Sequence, residues 1–375
     1  MFDLLWVIFV AYNIFENSAW VALSEGWTFT TIGKYVKYAI AVLCLAVIVY
    51  NLVKKRYTKQ AIIAYLLLGA VFAATAYFAY DHTYVWIFLI FAAAYRQDAK
   101  RVIRITIMTI AVMLFVIIGA SQTGLAVDYI FNPNTRARHG LGFAWTTNAP
   151  IIYLFFIFGY LFLRRERMKF YEYLILEAVA VYFYVMTNTQ LTFFMSTAIL
   201  IFLFVEGLLK NRWKFWKRLN WLWILLPVII CLLTLVIYLA YNPDAAIWSK
   251  LNSLLHDRLT LGNSGIHNYG ITAFGQSIYW NGYFINHMSG DYNYVDCSYL
   301  QYLLEFGIAF LLAVLAIYTN AMYNAVKKQD YYLVWILAAI LLFSFTEPHL
   351  MHLSFNAFPL IAFLSLKDAA EISIE

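Results

Sequence analysis

The stretch DYNYVDCSYLQYLLEFG, residues 291–307, marks the point at which a polar loop enters an apolar helix. Asp296 stands at this junction, and the chain then stays apolar over 297–323. A helix needs about 20 apolar residues to cross the hydrocarbon core of a bilayer. The stretch therefore predicts a membrane helix with a carboxylate, that of Asp296, at its start. The role of this carboxylate depends on the side of the membrane on which the start of the helix lies.

The composition of the whole chain predicts the same class of protein. Of its 375 residues, 64% are hydrophobic and 12% are charged, whereas soluble domains are about half apolar and a quarter charged. We expect an all-α polytopic membrane protein that forms a single integral domain over 1–375. The N-terminus lacks a basic segment and a cleavage site, which favours a retained first span over a signal peptide.

Apolar segments predict about twelve transmembrane helices. They cover 2–22, 33–53, 60–80, 83–97, 102–121, 147–163, 171–187, 189–209, 220–241, 297–323, 331–346 and 349–366.

The basic residues predict the membrane topology, that is, which connections between the spans are cytoplasmic. The even-numbered connections and Lys367 hold 20 of the 26 Lys and Arg residues. By the positive-inside rule both termini are cytoplasmic, and the long loops 122–146 and 242–296 face outward, the second just before span ten. The net charge of +6 follows mostly from this topology, so we predict no nucleic-acid partner. All seven histidines fall in or beside outer connections, which predicts chemistry or binding at the outer face.

Several common catalytic motifs are missing from the sequence. It has no phosphate-binding P-loop, H-E-x-x-H, D-x-D, zinc-type Cys/His spacing or G-x-S-x-G. The three scattered cysteines form no disulfide framework and no metal pair. We therefore expect neither a metal nor a cofactor. The Gly-rich segment 261–275 is interpreted as a turn-rich loop, either one that lets backbone approach a ligand or one of ordinary turns.

Three outer segments carry a resemblance to a known family. They are NTRARHGLGFAWTTNAP (134–150), LLHDRLTLGNSGIHNYGITAFGQ (254–276) and YNYVDCSYLQYLLEFGI (292–308). An Arg in R-H-G-L-G-F, an Arg in D-R-L, and D-x-S-Y-L running into L-L-x-x-G-I resemble the Wzy-type polysaccharide polymerases of the O-antigen polymerase and ligase superfamily. The D-x-S-Y-L form is similar to that of capsule and exopolysaccharide polymerases.

The resemblance implies a GT-C-like helical fold in a bacterial plasma or inner membrane. It also implies that oligosaccharide units linked to undecaprenyl pyrophosphate are polymerised at the outer face, without a metal, and it leaves room for a chain-length regulator as a partner. The closest alternative is a ligase that moves finished glycan to another acceptor. The alternative from a different class is a transporter such as a lipid-linked oligosaccharide flippase.

The residues themselves support phosphate chemistry. Without a divalent cation, the pyrophosphate leaving group needs arginine, which binds phosphate oxygens bidentately and keeps its charge. Arg138 and Arg258 lie in the two long outer loops, and Arg136 shares the first. The alternative is that they are surface arginines in contact with lipid headgroups.

Asp296 is our candidate base for the acceptor hydroxyl. Ligases of the superfamily have His where this chain has Asp296, so the base stays open. Asp296 could also be a helix N-cap, but Ser298 and Gln301 fit a capping box, which would free the carboxylate.

Other residues are candidate substrate contacts, each with a plain structural alternative. His139 follows Arg138, Tyr299 belongs to D-x-S-Y-L, and Glu347 and His349 lie in TEPHLMH at the predicted outer mouth. His267 and His287 are loop histidines that could contact sugar. Glu16 is interpreted as a buried interhelical hydrogen-bonding residue.

Overall fold

The computed structural model describes residues 1–22, 27–132, 136–208, 218–282 and 292–366 of the protein. Its first nine helices, in chain order, are α1 (Phe2–Glu16), α2 (Ala19–Ala22), α3 (Trp27–Val53), α4 (Lys59–Ala79), α5 (Thr83–Ala93), α6 (Ala99–Gln122), α7 (Asn148–Arg164), α8 (Phe170–Thr187) and α9 (Gln190–Leu208). A two-residue hairpin, β1 (Ile130–Phe131) with β2 (Arg138–His139), lies between α6 and α7.

The second half adds two helices that carry membrane length and two short ones between them. They are α10 (Asn220–Leu239), α11 (Ala246–Leu254), α12 (Arg258–Tyr269) and α13 (Ser298–Lys327). The chain then forms α14 (Tyr331–Phe343), and short 3₁₀ helices occur at Arg165–Arg167 and Phe358–Ala362. The prediction of a mainly α-helical chain is confirmed.

Seven of the described helices are long and apolar enough to cross a membrane: α3 from Thr31, α4, α6, α8, α9, α10 and α13. The helices α1, α5, α7 and α14 are shorter. Nearly every residue of α14 is buried, as expected for a helix that is apolar on all sides and packed in the centre of a bundle. The architecture is that of a polytopic helical membrane protein.

The prediction of a helical span over 349–366 is wrong. This segment is buried but consists of turns and the short helix Phe358–Ala362. It nevertheless runs the length of the bundle, because Glu347 lies beside Arg258 at one end and Ser365 pairs with Asp98, before α6, at the other. Irregular backbone is tolerated at membrane depth only where protein surrounds it.

Side chains of α13 satisfy the backbone of this irregular segment. Tyr318 donates its hydroxyl to the carbonyl of Leu350 at 2.6 Å, and the amide of Asn320 donates to the carbonyl of Ala362 at 2.9 Å. The backbone N–H of Met351 donates to the hydroxyl of Tyr302 at 3.0 Å. These bonds replace the ladder that a helix would have supplied.

Helix α13 is itself interrupted by a π-helical turn at Tyr302–Phe306. The loop after α12 fills the break, since the backbone N–H groups of Ile308 and Ala309 donate to the carbonyls of Thr272 and Ala273 (3.0 and 2.9 Å). The interpretation of 261–275 as a turn-rich loop is therefore wrong in its first part, which is helical through Tyr269. Its second part approaches a helix backbone.

Candidate functional site

Residues of the predicted outer loops meet around one cavity of about 630 Å³. The wall is built from the end of α1, the segment after the β hairpin, the start of α9, the α11–α12 turn, the approach to α13 and the turn after α14. Arg136, Arg138, Arg258, Asp296 and Glu347 all line this cavity. Five residues that the sequence singled out from four distant segments thus share one site.

Arg258 is held between two carboxylates. Its Nε donates to Oδ2 of Asp296 at 3.2 Å, and its Nη2 donates to Oε1 of Glu347 at 3.0 Å. The position of Arg258 is fixed by the start of α12. There the side-chain oxygen of Asn252 accepts hydrogen bonds from the backbone N–H groups of Leu259 and Thr260 (3.0 and 3.1 Å). Asn252 so caps the helix that begins at Arg258.

The predicted capping box at the start of α13 is not formed. The N-cap position is Cys297, without a side-chain bond. Ser298 instead donates its hydroxyl to the carbonyl of Glu347 at 2.7 Å and accepts the N–H of Leu350 at 3.2 Å. It therefore ties α13 to the turn that carries Glu347, while the carboxylate of Asp296 faces Arg258.

Burial sets the proton affinities of the two carboxyls. It raises the pKa of Asp296, which Arg258 opposes, and it raises the pKa of Glu347 to about 7. Burial lowers the pKa of Arg258, but Glu347 and Asp296 outweigh this and leave it raised, so the arginine stays charged. Two close carboxyls beside one cation titrate as a coupled pair.

Arg136 and Arg138 form a second cationic group across the cavity. The Nε of Arg138 donates to the carbonyl of Thr187 at 2.9 Å, and Nη2 of Arg136 donates to Oδ1 of Asn188 at 2.9 Å. Among the described residues, no carboxylate oxygen lies within 4 Å of either guanidinium. Burial, and then the charge of Arg136, lower the pKa of Arg138 to about 10. The charge of Glu347 opposes this lowering of the Arg138 pKa, so the pair lies within electrostatic reach of that carboxyl although it makes no direct contact with it.

The rim of the cavity is partly apolar. Phe194 on α9 is 61% exposed and Leu254 at the end of α11 is 75% exposed, and both line the cavity. Tyr292, Tyr294 and Trp145 line its interior. The cavity thus combines cationic and aromatic walls with an apolar edge on the side of a membrane-length helix.

Some of the predicted site residues lie elsewhere. His139 bonds through Nδ1 to Asp128 (2.6 Å) beside the β hairpin, His267 is exposed on α12, and neither lines the cavity. Tyr299 is fully buried and donates to the carbonyl of Leu341 at 2.9 Å, so the structure places it in the core. His349 does line the cavity, with Nε2 at 3.7 Å from Glu347. His287 lies outside the described residues.

Sequence reasoning missed the contribution of α1. Glu16 lines the cavity, is part-exposed, and pairs with Lys37 at 2.7 Å. The interpretation of Glu16 as an interhelical hydrogen-bonding residue is confirmed by this contact between α1 and α3. The expectation that it is buried is wrong, because Glu16 is part-exposed and lines the cavity. Asn17 and Asn148 also line the cavity. Among the described residues, no three His, Cys, Asp or Glu side chains are grouped as a metal site.

Comparison of the chain with protein-family models, with curated proteins and with solved structures finds no match.

Proposed function

We propose that the protein is a membrane glycosyltransferase that polymerises oligosaccharide units carried on undecaprenyl pyrophosphate at the outer face of a bacterial plasma or inner membrane. The observation that carries this proposal is the shared cavity. An arginine pair that makes no direct carboxylate contact among the described residues lines one part of it, and the carboxyls of Asp296 and Glu347, both bonded to Arg258, line another.

The arginine pair suits the pyrophosphate. Arg136 and Arg138 are anchored through neutral oxygens of Thr187 and Asn188, so their charge is available to an anion. An arginine fork matches two phosphate oxygens in geometry and in charge. Arg258 already donates hydrogen bonds to the carboxylates of Asp296 and Glu347, so its first role is to position them. Its second role is to add positive charge near the phosphate oxygen that leaves the anomeric carbon.

The carboxyl pair suits the acceptor hydroxyl. In the proposed step the hydroxyl oxygen attacks the anomeric carbon and its proton passes to Asp296. The bond from the anomeric carbon to the phosphate oxygen breaks, and the bonding electrons leave with the prenyl pyrophosphate. Backside attack inverts the anomeric configuration. A base works best when its pKa lies near the working pH, and burial moves the pKa of Asp296 upward, in that direction.

The apolar rim suits a lipid carrier. A prenyl tail must remain in the bilayer while its pyrophosphate enters the cavity. The gap bordered by Phe194 and Leu254 offers apolar surface where the cavity meets the membrane-length helix α9. We assign the tail to this gap.

The position of the cavity favours an enzyme over a flippase. A flippase needs a charged path through the middle of the membrane, whereas the charges described above gather at one end of the bundle. A ligase would use the same groups but would take an acceptor other than a second lipid-linked unit.

Proteoliposomes containing the purified protein separate these functions. Given lipid-linked oligosaccharide as the sole substrate, a polymerase yields a ladder of longer glycans and releases prenyl pyrophosphate. A ligase yields product only after a different acceptor is added. A flippase moves the substrate between leaflets without releasing pyrophosphate, and that result would refute the proposal.

A further inference from the structure

A second cavity of about 500 Å³ lies beside the first. It is enclosed by α1, α3, the α4–α5 turn with α5, and the irregular segment after Glu347. The two cavities share Glu16, Asn17 and Pro348, which form the wall between them. None of the residues proposed above to act on pyrophosphate lines the second cavity.

The chemistry of the second cavity differs from that of the first. Among the described residues that line it there is no arginine and one lysine, Lys37, which is paired with Glu16 at 2.7 Å. Asp81 adds a negative charge, with one oxygen accepting the N–H of Thr83 at 2.8 Å. His352 also lines this cavity, and its Nδ1 lies 2.6 Å from the hydroxyl oxygen of Ser354. Among the described residues of these walls, the one lysine is already paired and Asp81 is negative, so the walls do not favour an anionic ligand.

Neutral hydroxyl-rich ligands fit the same walls well. The rings of Tyr84 and Trp86 give an aromatic surface, and Asn13, Asp81 and Ser354 give hydrogen-bonding groups around it. Aromatic surface with a few placed polar groups is the usual composition of a small-molecule pocket. A sugar has matching faces, since its C–H side packs on rings and its hydroxyls bond to carboxylates and amides.

From this arrangement we infer that the second cavity binds a neutral oligosaccharide, the acceptor whose end reaches the first cavity past Glu16, Asn17 and Pro348. The inference rests on the proposed function, because glycosyl transfer between two carriers needs two substrates at once. The shared wall places the acceptor next to the carboxyl pair while its own anionic carrier stays away from the arginine pair.

Binding without turnover tests this site separately from the reaction. The probe is oligosaccharide extracted from the source cells in lipid-linked form and freed from its carrier by mild acid. Its affinity for the protein in nanodiscs is measured alongside that of farnesyl pyrophosphate. The variants are Trp86→Ala and Asp81→Asn, of which the second keeps a side chain able to cap α5. Trp221→Ala, at an exposed tryptophan of α10, is the matched control.

We expect Trp86→Ala and Asp81→Asn each to weaken oligosaccharide binding by about tenfold, because each removes a direct contact of roughly hydrogen-bond strength or more. Farnesyl pyrophosphate should bind them as it binds the unaltered protein. Trp221→Ala should change neither affinity.

Two results would overturn the inference: no binding of the free oligosaccharide by the unaltered protein, or equal binding by the cavity variants and by Trp221→Ala. Loss of farnesyl pyrophosphate binding together with oligosaccharide binding would also overturn it, because one site would then serve both. Oligosaccharide binding by a protein that catalyses no transfer would instead refute the proposed function, while the second cavity would remain an oligosaccharide-binding site.

Discussion

Arg258 donates to Glu347 at 3.0 Å across 89 positions of the chain. This contact joins the start of α12 to the turn after α14, and the same guanidinium reaches Asp296 before α13. Three segments that are remote in sequence therefore share one part-buried cation. Because removing either partner of such a contact leaves a charge unpaired, substitutions here report on the site directly.

The carboxyl pair predicts a pH dependence of transfer. Burial raises the pKa of Glu347 to about 7 and also raises that of Asp296, so the pair gains protons as the pH falls. A protonated Asp296 cannot accept the hydroxyl proton, and we expect the rate to fall as the pH is lowered. In Glu347→Gln, Asp296 no longer shares the site with a second carboxylate, so the fall should move to lower pH. Initial rates between pH 5 and 9 measure the pH profile of the unaltered protein and of the variant. An unchanged profile in Glu347→Gln would mean that Glu347 does not influence the reaction.

The arginine pair predicts how the pyrophosphate is bound. Arg138→Ala should weaken farnesyl pyrophosphate binding by about tenfold or more, because a charge-assisted bidentate contact is lost. Arg138→Lys should restore only part of the affinity, since a point charge does not reproduce the fork. Titration calorimetry in nanodiscs measures the affinity. Arg101→Ala is the control, because Arg101 is an exposed arginine at the start of α6. Equal losses in both variants would mean that general surface charge accounts for binding.

The break in α13 predicts an unusual intolerance at Gly307. Its φ is +82°, and a Cβ there would meet the backbone of Phe274 at 2.8 Å. Gly307→Ala should therefore destabilise the protein by at least about 1 kcal/mol, because alanine is strained at positive φ and the loop cannot move away freely. Thermal unfolding in detergent measures the change. Gly119→Ala, in α6 with open space around its Cβ position, should be neutral or stabilising. Equal effects at the two positions would contradict the packing described for the loop after α12.

The sidedness of the site follows from the split of basic residues and can be measured with a thiol reagent. All three native cysteines are buried, which keeps the background labelling low. In intact spheroplasts a membrane-impermeant maleimide should label Ser264→Cys on α12, where the side chain is exposed, but not Lys327→Cys at the end of α13. The reverse pattern would place the cavity on the cytoplasmic side and exclude the proposed function.

Apolar length predicted most membrane helices well. The segments 60–80 and 171–187 match α4 and α8 within a residue at each end, because lipid-facing helices depend mainly on their own composition. The segment 349–366 is as apolar as these, yet it is irregular. Its conformation depends on hydrogen bonds from Tyr302, Tyr318 and Asn320, which are tertiary contacts that no local pattern reveals.

The site was predictable only where a local sequence feature reveals a residue. Arg138, Arg258 and Asp296 stand out because charged residues in the predicted outer loops do not help to set the membrane topology. The pairing of Arg258 with Glu347 depends on the path of the irregular segment, so spacing could not predict it. Glu16 was not predicted to line the cavity, because the position of α1 beside the cavity depends on tertiary packing. Tyr299 follows Asp296 closely in sequence, but the turn of α13 directs it into the core.

The central claim is that Asp296 takes the proton of the acceptor hydroxyl. Asp296→Asn keeps the shape of the side chain and removes its basicity, while Glu347 still pairs with Arg258. Transfer of lipid-linked oligosaccharide in proteoliposomes should fall by about 100-fold or more, and stability should stay within about 1 kcal/mol of the unaltered protein. Farnesyl pyrophosphate should still bind, because the arginine pair is intact. The measurement is the glycan ladder formed by Asp296→Asn beside that of the unaltered protein. The account predicts no ladder from the variant, and a ladder of normal length and yield would contradict it.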